Sequence, residues 1–383
     1  MIRKYTQLVV SSVVAIGFAA PVSAQEAGRS PAAEASDVGS SDIIVTARRR
    51  EEALQDVPIS VSVLSGDQLA QSGVQNAMDL QYRTPSLAIT SGQTQRSTVS
   101  FAIRGQRVQE TQLFSDPPVG TYFAEVVNPR NFGFANTFYD IGSVQVLKGV
   151  QGTLFGRNMT GGAVLVEPNH PELGRLTGSV TGQYGNYNMW DLAGVVNVPI
   201  GENVALRFAG KTHERDGWAR DIGSGLRLDN QNYDSFRVSA LVQPSSAIEN
   251  LTIFDWYKSD ENGTASFMTA IHRPSVIDVY EGYRAQGLTD TNIPAQFEEA
   301  QRLFREREFT LRSGSGDGSN LDYWGKPSEK IKNWGITNKT TIDLSDDIRI
   351  KNIFGYRQES VRRLRDYGGI PALVGSAVSC RRL

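Results

Sequence analysis

The strongest constraint on this chain is a two-residue alternation that recurs after Pro171. Trp190, Leu192, Gly194, Val196, Val198 and Ile200 take every second position, with Asp191 and Asn197 on the opposite face. Val204, Leu206 and Phe208 repeat the pattern against Arg207 and Lys211, and Phe236, Val238, Ala240 and Val242 repeat it against Arg237, Ser239 and Gln243. Ile348, Ile350, Phe354 and Tyr356 do so against Arg349, Lys351 and Arg357. A period of two marks a strand with one apolar side. Strands of about ten residues, rising about 3.3 Å per residue and tilted by about 45°, span about 23 Å, close to the roughly 25 Å apolar band of an outer-membrane barrel.

The connections alternate in length as well. Pro199 to Asn203, Gln243 to Ala247 and Ser345 to Asp347 read as tight turns, whereas Glu214 to Tyr233 and Ser259 to Lys330 are long. Short turns on one rim and long loops on the other form the pattern of a transmembrane barrel, with the short turns toward the periplasm. A soluble β-sandwich also alternates. An insertion as long as Ser259 to Lys330, and Arg or Lys on the inner faces of several strands, are unusual there, so the barrel is preferred.

The N-terminus reads as an export signal. Arg3 and Lys4 precede an apolar run from Leu8 to Ala20, and Val22-Ser23-Ala24 offers small residues for cleavage, which assigns residues 1–24 to a signal peptide. That run is shorter than the roughly 20 apolar residues of a membrane anchor. Gln25 to Ser41 has no apolar period and reads as a flexible leader. Asp42-Ile43-Ile44-Val45-Thr46-Ala47 follows, a β-prone patch ahead of the basic run Arg48-Arg49-Arg50. Such a hexapeptide is either a strand donor for another protein's sheet edge or the first strand of the next domain. A formal charge of −2 gives no basic field for nucleic acid. The single cysteine, Cys380, leaves no internal disulfide and no cysteine-based metal framework.

Between these regions, residues 56–172 read as a small mixed α+β domain. Val57 to Leu64 alternates like a half-buried strand, and Ser65-Gly66-Asp67 opens a helical stretch with Leu69, Val74, Met78 and Leu80 on its apolar face. Leu87 to Ile89, Val99 to Ile103, Val119 to Phe123 and Val144 to Leu147 are further short strands. Gly149, Gly152, Gly156, Gly161 and Gly162 crowd one segment, but neither a Gly-Lys-Ser/Thr ending nor a G-x-G-x-x-G fingerprint accompanies them. A packed corner is therefore favoured over a phosphate loop. His170, His213 and His272 share no ligand spacing, so no catalytic residue, metal site or cofactor is expected. In the longest loop, Ser313 to Gly318 reads as a flexible linker and Phe297 to Arg307 as a short helix over the pore.

At this point the residues carry a family resemblance. Asp42 to Ala47 resembles a TonB box, and Phe101-Ala102-Ile103-Arg104-Gly105 resembles a recurring plug segment. The stretch from Asp140 through Val146-Leu147-Lys148-Gly149 and Gln151-Gly152-Thr153-Leu154-Phe155-Gly156-Arg157-Asn158 to Thr160-Gly161-Gly162-Ala163 is similar to the plug signature of TonB-dependent outer-membrane receptors. Val150 and Met159 stand where the family usually shows Pro and Ala. The resemblance implies an α+β plug domain followed by antiparallel transmembrane β-barrel strands, in a barrel of 22 strands closed by the plug. It also implies uptake of a scarce ligand, most often a ferric siderophore and otherwise haem, cobalamin or an oligosaccharide. TonB would energise that uptake through residues 42–47. Arg104 and Arg157 are then expected to make buried polar pairs within the plug or with barrel carboxylates, because an unpaired buried charge is costly. The resulting division is a signal peptide at 1–24, leader and box at 25–55, plug at 56–172 and barrel strands at 173–383.

Length sharpens this. The 210 residues from Gly174 to Leu383 hold seven or eight recognisable strands. Twenty-two strands of about ten residues need roughly 220 before any loop. An open sheet would leave edge groups facing lipid, and Ser379 to Leu383 lacks an aromatic-ended strand. The expectation is a truncated or partial receptor, the alternative being a plug-bearing periplasmic binding or signalling module without transport.

Overall fold

Short, buried strands come first along the chain, and long strands with one exposed face follow. A computed structural model describes residues 44–46, 49–50, 52–92, 95–108, 116–221, 226–264, 302, 320–321, 328–345 and 347–364. The signal peptide, the leader, the linker at Ser313 to Gly318, the C-terminal Ser379 to Leu383 and all of the Phe297 to Arg307 stretch except Arg302 lie outside the described residues.

β1 (Ile44–Val45) pairs antiparallel with β2 (Glu52–Ala53). β3 (Val61–Ser65) is shorter than the alternation from Val57 predicts. Pro58 has no N–H to donate, and a 3-10 turn at Leu54–Asp56 precedes it. The Ser65 side chain starts α1 (Gly66–Gln71) through a capping box: its Oγ accepts from the Gln68 N–H at 3.2 Å, and Gln68 Oε1 accepts from the Ser65 N–H at 3.0 Å. A separate 3-10 turn, Ala77–Tyr82, is capped by Asn76 and Asp79, so the expected single helix divides in two. Leu69 and Leu80 still point inward, with Val74 and Met78 packed beside them.

β4 (Leu87–Gly92) and β5 (Gln95–Ile103) form a hairpin. β6 (Val119–Phe123), β7 (Val126–Asn128), β8 (Ile141–Lys148), α2 (Gly152–Phe155) and β9 (Gly162–Pro168) complete the domain. Its five-stranded sheet has the order β3-β8-β9-β6-β7, with β6 parallel to β9. The run Val119 to Phe123 is buried at every position, which is why it reads as a continuous apolar tract.

The second half is a seven-stranded antiparallel sheet. It comprises β10 (Thr177–Gly185), β11 (Met189–Ile200) and β12 (Val204–Arg215), and, beyond the short loop strands β13 (Ala219–Asp221) and β14 (Arg227–Leu228), β15 (Gln231–Ser245) and β16 (Ile248–Glu261). After the two-residue β17 (Asn320–Leu321), β18 (Ser328–Ser345) and β19 (Ile348–Leu364) close the sequence of strands. Their order is β10-β11-β12-β15-β16-β18-β19. The strands reach 18 residues in β18, well beyond the ten expected, because they extend past the apolar band into the loops.

The alternation sorts cleanly onto two faces. Phe208, Phe236, Ile350, Phe354 and Tyr356 are exposed on one, while Ala205, Arg237, Leu251, Ile253, Thr337 and Lys339 are buried on the other. On the outer face, Phe236, Trp256, Trp334 and Tyr356 follow one another across four adjacent strands, at ring spacings of 5.3 Å for the first and last steps and by direct register pairing for the Trp256–Trp334 step. A row of aromatic rings with one polar edge each is the composition of a membrane-interface belt. On the inner face, Leu241, Leu251 and Ile253 join the same core as Phe123, Val144 and Val166 of the N-terminal domain. Burying each such side chain is worth about 1.5–3 kcal/mol, so this shared core fixes the domain against the wall.

Candidate functional site

Three features bear on function, and each is built from the chain's local chemistry. The first is the docked hexapeptide. Of Asp42, Ile43, Ile44, Val45, Thr46 and Ala47, the structure describes Ile44, Val45 and Thr46. Val45 is fully buried in a cluster with Val57, Tyr122, Leu147, Phe155, Met159, Ala163 and Leu165. The Thr46 N–H donates to Gln145 Oε1 at 3.0 Å, and Gln145 Nε2 donates back to Thr46 Oγ1 at 3.3 Å. Just beyond, the Arg49 guanidinium lies 5.4 Å from the Tyr122 ring centroid and 5.0 Å from that of Phe155, and its Nε donates to the Leu154 carbonyl at 3.1 Å. Burial pushes the Tyr122 hydroxyl above its ordinary range against the lowering charge of Arg49. An apolar β-prone strand with one hydrogen-bonding side chain suits this seat, and β2 pairs along its edge.

The second feature is the glycine corner around α2. Gly105, Gly149, Gly156 and Gly162 have positive φ. At Gly162 the requirement is absolute: φ is 148°, and a Cβ would collide with the Leu147 carbonyl oxygen across the sheet. Gly161 lies tight against Gln106 and Val119, whereas Gly152 has open space around it. Close packing is present at Gly161 and Gly162, whereas Gly105 and Gly156 answer only a backbone demand and Gly152 answers neither.

The expectation for the two arginines does not hold. Arg104 is exposed in the turn after β5, with φ of 52° and its Nη1 over Gly149. The Arg157 side chain is 87% exposed, 3.6 Å from Asp116, which also accepts from Arg130 at 3.0 Å and from Asn158 at 2.8 Å. Both arginines sit on tight turns, where the backbone turns the side chain away from the core.

The charges that are enclosed sit between domain and wall, and sequence reading passed over their carboxylates. Arg207 of β12 grips Asp140 with Nε at 2.8 Å and Nη2 at 2.5 Å, with side-chain exposures of 12% and 3%. Asp140 also accepts from Asn169 Nδ2 at 2.8 Å. Lys351 of β19 donates to both oxygens of Glu125 at 2.7 and 2.9 Å. Lys339 of β18 reaches Glu125 at 3.4 Å and contacts Glu167 closely. Burial alone pushes the Glu167 carboxyl up, but the His170 hydrogen bond and the Lys339 charge together hold it below its ordinary value.

Glu125 is carried on a strained tip. Phe123 pairs with Val126, so Ala124 and Glu125 form a two-residue hairpin turn with φ of 49° and 67°. That turn favours Asn-Gly, and non-glycine residues there cost about 1 kcal/mol or more each. The strain is offset by the Glu125 pairs and by the Ala124 N–H donating to the Val166 carbonyl at 2.9 Å. Phe123 at the base of the tip lies between Arg237 and Arg357 of the wall, whose guanidinium carbons stand 4.7 and 5.3 Å from its ring centroid. His170 pairs with Glu167, and His213 donates to Asp191 at 2.8 Å while stacking on Tyr233; His272 lies outside the described residues. No cluster of potential metal ligands occurs among the described residues.

Residues 53–163 match the family model of the TonB-dependent receptor plug domain. Over 169 residues the chain is 28% identical to the pesticin receptor of Yersinia pestis, covering 43% of this chain and 24% of that protein. It is 21% identical to the vitamin B12 transporter BtuB of Photobacterium profundum over 342 residues, which is 85% of this chain and 52% of that protein. The chain thus spans from about a quarter to about half of these relatives' length. Among solved structures, the ferric yersiniabactin uptake receptor FyuA from Yersinia pestis superposes with a TM-score of 0.62 at 17% identity, over 80% of this chain and 42% of that one. These are receptors and transporters, and none is an enzyme. Residues 53–163 thus match the plug domain of TonB-dependent receptors, and the chain as a whole shares the fold of the corresponding part of the solved receptors.

Proposed function

We propose that the chain works in the active uptake of a scarce nutrient across the outer membrane, a ferric siderophore in the first instance, with TonB engaging Asp42 to Ala47 from the periplasm. The observation that carries this reading is the seating of Val45 and Thr46 on the plug through one apolar pocket and the Gln145 amide. A short strand seated by an apolar side chain and side-chain hydrogen bonds can be surrendered to a partner's sheet edge, which is the mode of β-strand addition. The seven-stranded sheet is a sector of the wall, and further strands of the 22-strand class complete the cylinder around the plug.

Deleting residues 42–47 tests this. Uptake of ferric siderophores is expected to fall to the level of a strain lacking TonB, while binding to the cell surface persists. Equal uptake with and without the hexapeptide would overturn it. Recovery of the protein as a soluble periplasmic species would instead favour a binding or signalling module.

A further inference from the structure

Among the described ion pairs between plug and wall, the plug carboxylates Glu125, Asp140 and Glu167 each meet a wall cation: Lys351 and Lys339, Arg207, and Lys339 again. Higher on the wall the polarity reverses, where the charge of Arg130 acts on Glu359. Register arranges the wall cations as a ladder. Lys351 lies opposite Thr341, Lys339 opposite Leu251, Arg207 opposite Ser239 and Arg237 opposite Asp255, on four successive inward-facing rungs. Six residues separate the first rung from the last along a strand, about 20 Å at about 3.3 Å per residue.

Three of these cations have only plug carboxylates as partners among the pairs described: Lys351, through Glu125, Arg207, through Asp140, and Lys339, through Glu125 and Glu167. Arg237 donates to the carbonyl oxygens of Tyr139 and Asp140 at 3.3 and 3.2 Å and lies over the Phe123 and Tyr139 rings, all of them plug groups. Its Nε has no hydrogen-bond partner although buried. By contrast, Arg357 is neutralised within the wall by Asp255 at 2.9 and 3.1 Å, and Glu249 is the other inward carboxylate on these rungs. Taking the plug away therefore strips these four cations of their described partners and leaves a positive surplus on these rungs.

We propose, resting on the transport reading above, that Lys351, Lys339, Arg207 and Arg237 form a track for an anionic cargo, which the plug carboxylates occupy in the closed state. The cargo that fits is one presenting carboxylate, catecholate or similar anionic oxygens. It follows the plug down the wall, and each cation exchanges a plug oxygen for a cargo oxygen. Such an exchange keeps the charges paired throughout, which avoids the cost of a bare buried cation.

Conductance of the receptor with its cylinder of strands complete, in a planar bilayer with the plug displaced reversibly by urea and a potassium chloride gradient as probe, tests this. The open path is expected to prefer chloride, and Arg207→Gln/Lys339→Gln/Lys351→Gln is expected to lower the chloride-to-potassium permeability ratio about tenfold, the scale of focusing by a cleft of one sign. Because that variant also loosens the plug, Glu125→Gln/Asp140→Asn/Glu167→Gln serves as the second: it too needs less urea to open, yet keeps the wild-type ratio. A triple wall variant that opens at lower urea with an unchanged ratio would show that these cations only hold the plug, and would overturn the proposal while leaving transport intact. A cation-preferring wild type would overturn it as well. No conductance from the wild-type protein at any urea concentration would overturn the transport reading, and this proposal with it.

Discussion

Replacing Arg207 by Met removes the partner of a carboxylate that is almost wholly enclosed. The Asp140 side chain is 3% exposed and would keep only the Asn169 amide at 2.8 Å. Leaving one charge of a buried pair without its partner costs about 3–5 kcal/mol, whereas removing both charges is close to neutral. With a urea slope of about 2 kcal/mol per molar, Arg207→Met is expected to lower the midpoint of plug release by about 1.5–2.5 M. Adding Asp140→Asn should restore most of that loss, because a neutral amide at the same place no longer needs a cation. The assay is urea titration of the protein in detergent, with release followed by protease cleavage of the plug. If Arg207→Met left the midpoint unchanged, or if the double variant fell as far as the single, the pair would not be holding plug to wall.

Three further expectations follow from the same geometry. Gln145→Ala removes both hydrogen bonds to Thr46, worth about 1–3 kcal/mol together, and should raise the mobility of a spin label placed nearby by Arg50→Cys roughly tenfold or more in exchange terms. Gly162→Ala is expected to cost about 2–4 kcal/mol through the clash with Leu147 and the positive φ, while Gly152→Ala at the start of α2 should stay within about 0.5 kcal/mol, as read by thermal unfolding. Because the folded Glu167 carboxyl is held below its ordinary value, its contribution is present above that ordinary range and lost as the pH falls through the lowered value. Plug release should thus become easier on acidification, and Glu167→Gln should flatten that dependence.

The wall was legible because lipid on one side and plug on the other force a strict period of two, as in Phe236 to Val242 against Arg237 to Gln243. β10 left little trace: its Gly, Thr and Ser positions are nearly all exposed, since it is the last strand of the sheet on that side. The glycine corner was readable because Gly162 answers a local backbone demand. The charge pairs were not, because Glu125 and Lys351 are 226 residues apart and nothing local to either marks the other. The one available signal was Glu125 itself, a lone carboxylate in the apolar run from Val119 to Val127. Arg104 and Arg157 misled for the same reason: burial was inferred from the motif around them, but the turn geometry points them outward.

The most direct measurement of the central claim is accumulation of radioiron, supplied as a panel of ferric siderophores, in cells expressing the receptor with and without TonB. The account predicts accumulation of at least one chelate in the cells with TonB and only surface-bound iron in the cells without it. Equal accumulation in both would contradict an energy-coupled receptor.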